Sequence, residues 1–176
     1  MPSAGAGTCF IEYLLPVPAG KVFFSPYCRE PGNIQSAGRA MIVGIGIDLV
    51  EISRIRRSLE RFGNVFTNKM LHPSESELVP ADLLLPASVA HVAGRFAAKE
   101  AAVKALGTGF SGGIGLHDVR ISSLPSGQPL LTFHGKAQER AIALRAHVAH
   151  ISLSHSRESA GAVVVLESGD QGLTAT

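Results

Sequence analysis

The strongest constraint in this sequence is an apolar strand pattern interrupted by glycines and followed by a long alanine-rich helix. Met41–Glu51, MIVGIGIDLVE, is rich in Ile and Val, with Gly44 and Gly46 inside it. Strand glycines mark close approach of another backbone or a ligand. Residues 92–109, VAGRFAAKEAAVKALGTG, read as a helix with one charged face formed by Arg95, Lys99, Glu100 and Lys104. Asp48 ends the apolar part of the strand, and Glu100 stands in mid-helix beside the core. Two such carboxylates can share a divalent cation, and Lys104, one turn on, can hold the phosphates it attracts. Magnesium suits this set, since it takes one or two carboxylates and completes its shell with water and substrate phosphate. The same residues also admit a plainer reading. Asp48 can cap the following helix, and Glu100 with Lys104 can be an ordinary i, i+4 pair contributing about 0.2–0.5 kcal/mol.

The 176 residues suffice for one core, and 45% hydrophobic with 17% charged residues is a globular balance. A formal charge of +2 gives no argument for a nucleic-acid partner. No apolar run approaches the ~20 residues of a membrane helix. Cys9 and Cys28 do not make a disulfide framework, so a cytoplasmic, reducing location is expected. Residues 1–40 hold five of the ten prolines and lack sustained periodicity. They fit neither a signal peptide nor a transit peptide. They are expected to be a poorly ordered extension, with Met41 a candidate natural start, a domain over 41–168 and a frayed tail over 169–176.

Along the chain, residues 51–62 place Ile52, Ile55, Leu59 and Phe62 at helical spacing, with Gly63-Asn64 as the stop. Arg54, Arg57 and Arg61 form a basic stripe at i, i+3, i+7, either a solvated face or a surface for an acidic partner. Residues 65–78 predict a short helix, a turn at His72-Pro73 and a further short helix. The long helix is predicted from about Ser88, its N-cap, to Gly107. Gly107, Gly109 and Gly112 have GxGxxG spacing, but they follow a helix and lead into a strand, which excludes a dinucleotide fingerprint. Residues 119–122 and 130–133 predict a hairpin, 136–147 a helix carrying Ala137 and Ile142, with Leu144 and Val148 continuing its apolar positions, and 151–154 and 162–166 strands. His155 lies at the turn between those last strands, and Ser152, Ser154 and Ser156 around it can form a polar phosphate pocket. Mixed helices and hairpin-type joins indicate an α+β class.

Taken together, GIGIDLVEISRI at 44–55, GRFAAKEAAVKALGTG at 94–109, SGQPLL at 126–131 and ISLSHSRESAGAVVVLE at 151–167 resemble the holo-acyl-carrier-protein synthases, small bacterial 4′-phosphopantetheinyl transferases. The resemblance implies one pseudo-half of the two-lobed transferases, assembled as a homotrimer with active sites between protomers. It implies magnesium-dependent transfer of phosphopantetheine from coenzyme A to a serine of apo-acyl carrier protein. Adenosine 3′,5′-bisphosphate is released, and the product supports fatty acid biosynthesis. Matched residue by residue, Asp48 and Glu100 are metal ligands, and Lys104 meets the coenzyme A diphosphate. Arg95 and His155 lie near its adenosine phosphate end, while Arg54, and less directly Arg61, dock the acidic carrier. The proton acceptor stays open between Glu100 and water. LHPSESEL departs from the family's pattern at His72-Pro73, which leaves Glu75 outside the metal set. The alternative is a non-catalytic module that binds coenzyme A or a nucleotide.

Overall fold

The computed structural model describes residues 41–168, so the expectations for 1–40 and 169–176 lie outside the described residues. The order is β1 (Met41–Glu51), α1 (Ile52–Phe62), α2 (Asn64–Met70), α3 (Pro73–Ser76) and α4 (Pro86–Ala105). A 3₁₀ turn (Leu116–Asp118) then leads to β2 (Val119–Ser123), β3 (Pro129–Phe133), α5 (Gly135–Ala143), β4 (Val148–His155) and β5 (Ser159–Ser168). Two antiparallel sheets result, β1-β5-β4 and the β2-β3 hairpin. The class is α+β, as the sequence indicates.

Helix α4 is the centre of the core. Val89, Val92, Ala93, Ala97, Ala98, Ala101, Ala102 and Val103 are completely buried along it. It packs against the face of the sheet formed by Val50, Ala160, Ala162, Val164 and Leu166, all buried. Contact is close because β1 offers bare backbone. A Cβ on Gly46 would lie 1.9 Å from the Ala101 carbonyl oxygen, and one on Gly44 would lie 2.1 Å from that of Ala105. The strand glycines are therefore contact points for the helix backbone. Gly46→Ala is expected to destabilise the fold by about 3 kcal/mol, the upper end for overpacking. In urea unfolding the control Gly94→Ala, where an added Cβ meets nothing within 4 Å, should be neutral or stabilising.

Three local expectations are corrected. Ser88 does not cap α4. The helix begins one turn earlier at Pro86, which needs no hydrogen-bond acceptor at a helix start, and the buried Ser88 hydroxyl donates to the Asp82 carbonyl at 2.7 Å. Helix α5 ends at Ala143, short of 147. Arg145 adopts φ 54°, which no α-helix accommodates, and Val148 joins β4 opposite Glu167. Ile142, expected on the apolar stripe, is exposed, while Ala137 and Ala141 face the core.

The charged face of α4 also divides in two. Arg95 and Lys99 are buried, whereas Glu100 is half-buried and Lys104 exposed. Residues four apart share a helix face, so 95/99 and 100/104 form two stripes about 100° apart. The outer stripe meets β1, and the inner one runs toward α3 and the β2-β3 hairpin.

Candidate active site

Asp48 lies on the inner face of β1 because strand alternation sends Ile47 and Leu49 outward. Lys104 reaches across from α4 and donates to Asp48 Oδ1 at 2.7 Å and to the Ile47 carbonyl at 3.2 Å. This bond to Asp48 pushes the Lys104 pKa up. Glu100 completes the group. Burial, then the nearby Asp48 carboxylate, raise its pKa, and Lys104 and Arg54 only partly offset them. Arg54 on α1 projects over the Phe96 ring at 5.9 Å. The structure thus gathers Asp48, Glu100, Lys104 and Arg54 at one place.

The plainer readings do not describe this arrangement. The residue at the α1 N-cap is Glu51, so Asp48 is not the cap. Lys104 pairs across to the strand with Asp48 instead of along its own helix with Glu100. Two neighbouring carboxylates, with Asp48 adding to burial in raising the Glu100 pKa, form an oxygen-only donor set suited to a hard divalent cation. Among the described residues no cluster of three or more His, Cys, Asp or Glu side chains could hold a metal. A cation here would take its remaining ligands from water and substrate, which fits magnesium.

Arg95 and His155 belong to a second place. Both line an open groove of about 1540 Å³ bounded by the starts of α1 and α4, the β2-β3 hairpin and the β4-β5 turn. Its volume exceeds the about 300–1,000 Å³ of compact ligand pockets and suits an extended ligand. His155 is paired with Ala160, two positions along β5 from Ala162, the partner of Asp48. Standard strand spacings put the Cα atoms of Asp48 and His155 roughly 12 Å apart, too far for one ion in the same chain.

Ser152, Ser154 and Ser156, expected as a pocket around His155, line the same groove. Ser152 and Ser154 alternate to the face opposite His155, and the Ser156 hydroxyl accepts from the Glu158 and Ser159 amides within the turn. Arg56, His91, Arg95 and Arg157 are the groove's other basic groups. Arg61 joins neither place. It is exposed and stacks over Phe62 at 4.9 Å, while Arg54, Arg57 and Arg61 remain an exposed basic stripe.

Sequence reasoning missed the buried pair beneath the site. Lys99, 0% exposed, donates to Glu75 Oε2 at 2.7 Å and to the carbonyls of Leu116 and Val119 at 2.9 and 2.6 Å. Glu75 also accepts from the Ile121 and His72 amides, so its oxygens are committed to structure. Burial lowers the Lys99 pKa, opposed by Glu75. The available signal was a lysine with Phe96, Ala102 and Val103 at i−3, i+3 and i+4 on its own helix face.

Residues 44–163 match the family described as the 4′-phosphopantetheinyl transferase superfamily. The holo-[acyl-carrier-protein] synthase of Nitratidesulfovibrio vulgaris is 56% identical over 128 residues, covering 73% of this chain and 100% of that protein. That of Maridesulfovibrio salexigens is 54% identical, covering 72% and 99%. Among solved structures, the Helicobacter pylori holo-[acyl-carrier-protein] synthase in complex with coenzyme A is 35% identical with a TM-score of 0.60, covering 69% of this chain and 98% of that one. The holo-ACP synthase from Plasmodium yoelii is 27% identical with a TM-score of 0.65, covering 74% and 98%. The chain belongs to the 4′-phosphopantetheinyl transferase superfamily, and it matches holo-[acyl-carrier-protein] synthases along nearly their whole length.

Proposed function

We propose that this chain is a holo-acyl-carrier-protein synthase, transferring 4′-phosphopantetheine from coenzyme A to a serine of apo-acyl carrier protein. The observation that carries the reading is the cluster of Asp48, Glu100 and Lys104 on the α4–β1 contact, in a chain of this superfamily. The serine oxygen forms a bond to the β-phosphorus of coenzyme A. The bond from that phosphorus to the bridging oxygen breaks, adenosine 3′,5′-bisphosphate leaves, and the serine proton passes to a base.

Such transfers depend on positioning and charge neutralisation more than on covalent help from the protein. Asp48 and Glu100 would hold magnesium, which supplies neutralisation of the diphosphate charge when bound. Lys104 adds a mobile point charge at the same edge. Arg95 and His155 hold the adenosine phosphate end in the groove. Arg54 stands beside the carboxylates on an exposed basic helix face. Such a face draws an acidic carrier protein toward the site, and charge complementarity of this kind raises encounter rate more than affinity. The catalytic unit spans 41–168, works in the cytoplasm and serves fatty acid synthesis. Among the described residues no helix is long and apolar enough to cross a membrane.

The assembly we propose is a homotrimer with sites between protomers. Its support is the outer face of the sheet, where Ile45, Ile47, Leu49 and Val163 are exposed side by side, Leu49 by 73%. A contiguous apolar sheet face is an association surface. A neighbour packed there can bring one copy's groove to another copy's carboxylates. Sedimentation should give three times the 18.4 kDa chain mass. Ile47→Asp should shift it to one chain mass with loss of turnover; an active monomer would refute the shared site.

The direct test is intact-mass spectrometry of apo-acyl carrier protein after incubation with the protein, coenzyme A and magnesium, with an EDTA control. The expected result is a metal-dependent gain of one phosphopantetheine. Coenzyme A binding without any gain, using carriers that a control transferase modifies, would leave only the binding-module reading.

A further inference from the structure

Arg95 is a cation almost closed off from solvent, with 5% exposure. Among the described residues its side chain donates from Nη2 to the Ser123 hydroxyl at 3.1 Å, while Nε and Nη1 are buried without a partner. Burial lowers the Arg95 pKa, and the one opposing influence is the carboxylate of Glu75. That carboxylate is already spent on Lys99 and two backbone amides. His91, one turn earlier on α4, adds no second positive charge, because burial and then Arg95 lower its own pKa and favour the neutral ring.

Ser123 ends β2, on the hairpin that forms the far wall of the groove, and it lines the groove with Arg95. Its hydroxyl is a neutral acceptor. It fixes the guanidinium plane without cancelling its charge, and it leaves donors over. A carboxylate at this point would fix the same plane but compete with an incoming anion. Buried donors without partners are costly, so an arginine kept in this state is matched to a ligand that brings acceptor oxygens.

We propose that Ser123 is a positioning residue of the substrate site, holding Arg95 from the β2-β3 hairpin so that its free guanidinium donors meet a phosphate of the bound substrate. The assignment rests on the proposed coenzyme A reading of the groove. Ser123 acts only through Arg95 and touches none of the reacting atoms. Its loss therefore weakens substrate capture while chemistry at Asp48 and Glu100 continues. The shared ligand chemistry is a phosphate oxygen, which coenzyme A offers from both its 3′-phosphate and its diphosphate.

The test is steady-state transfer kinetics on the full chain with Ser123→Ala, Ser123→Thr, Arg95→Ala and the Ser123→Ala/Arg95→Ala double variant. Ser123→Ala should raise the KM for coenzyme A about five- to tenfold, as loss of one hydrogen bond of ordinary strength does, with kcat within about twofold. Ser123→Thr keeps the hydroxyl and should stay near wild type. The double variant should be no worse than Arg95→Ala alone, since two residues acting as one unit are non-additive. Repeating the series with 3′-dephospho-coenzyme A identifies the source. A Ser123→Ala effect that vanishes there assigns Arg95 to the 3′-phosphate, and one that persists assigns it to the diphosphate. An unchanged KM in Ser123→Ala beside a raised KM in Arg95→Ala overturns the role of Ser123 and leaves the groove reading intact. Wild-type kcat and KM in Arg95→Ala would overturn both. Thermal melts of each variant separate these results from unfolding, because a purely structural serine would shift the melt and leave KM unmoved.

Discussion

Glu100→Gln is expected to reduce phosphopantetheine transfer by on the order of 10²–10³-fold, the scale of losing one preorganised electrostatic contribution, here through weakened hold on the cation that would neutralise the diphosphate. The fold should survive and gain slightly in stability. Burial and the Asp48 carboxylate raise the Glu100 pKa above its ordinary value near 4.5. The folded chain then binds more protons than the unfolded one between the ordinary and the raised value. Stability falls as pH climbs through that window. At neutral pH the ionised Glu100 opposes folding, and the uncharged amide removes that opposition. The melting temperature of Glu100→Gln should exceed that of wild type at pH 7.5, and the difference should disappear below about pH 4.5. Magnesium should raise the wild-type melting temperature by mass action and have little effect on the variant. Near-normal turnover in Glu100→Gln would remove it from the metal site. A lower melting temperature would instead make it a structural residue.

Lys99→Met should have the largest effect on stability. Removing one member of a buried ion pair costs about 3–5 kcal/mol because the other charge stays buried without compensation. Here Glu75 would be the stranded charge, and the Leu116 and Val119 carbonyls would lose their donor. In a domain of this size the loss corresponds to roughly 10–15 °C in melting temperature. The double variant Glu75→Gln/Lys99→Met should recover part of it. Glutamine strands no charge, and its amide oxygen can still accept from the Ile121 amide. A Lys99→Met protein within about 1 kcal/mol of wild type would mean that water reaches Glu75 and the pair is not sealed.

The position of this pair explains why it matters to the site. Lys99 ties α4 to α3 through Glu75 and to the start of β2 through Val119. Its neighbours along the helix, Arg95 and Glu100, serve the groove and the carboxylate cluster. A shift of α4 relative to the hairpin would move Arg95 away from Ser123. Stability and substrate geometry thus depend on the same turn of one helix.

The elements of the core were legible where the chain's own periodicity is strong. Met41–Glu51, the α1 stripe of Ile52, Ile55 and Leu59, the hairpin and the last two strands follow from local pattern and turn chemistry. The α+β class follows from their order. The pairing of Asp48 with the α4 acid–base stripe rested on the family resemblance, because the residues alone equally admit a helix cap and an i, i+4 pair, and the close neighbour of the strand glycines is the helix backbone at Ala101 and Ala105. The errors have physical reasons that local pattern does not carry. Pro86 moved the start of α4 because a helix tolerates proline at its first position, and pairing of β4 with β5 took Val148 from the end of α5.

What the sequence by itself determined is which residue types stand on which elements: carboxylates on the strand end and helix, arginines on α1, and His155 at the end of the penultimate strand. Only the tertiary structure decided which of them meet. Four helical charges separated into a buried stripe and an outer one because a helix advances 100° per residue, and just one of its faces can meet β1 while another packs under the hairpin. The same packing sealed Lys99 against Glu75, set Arg95 against Ser123, and put His155 two strands away from Asp48. Burial and proximity are properties of the packed chain, and they turn a list of charged residues into a carboxylate–lysine cluster, a structural ion pair and a groove lined by basic groups.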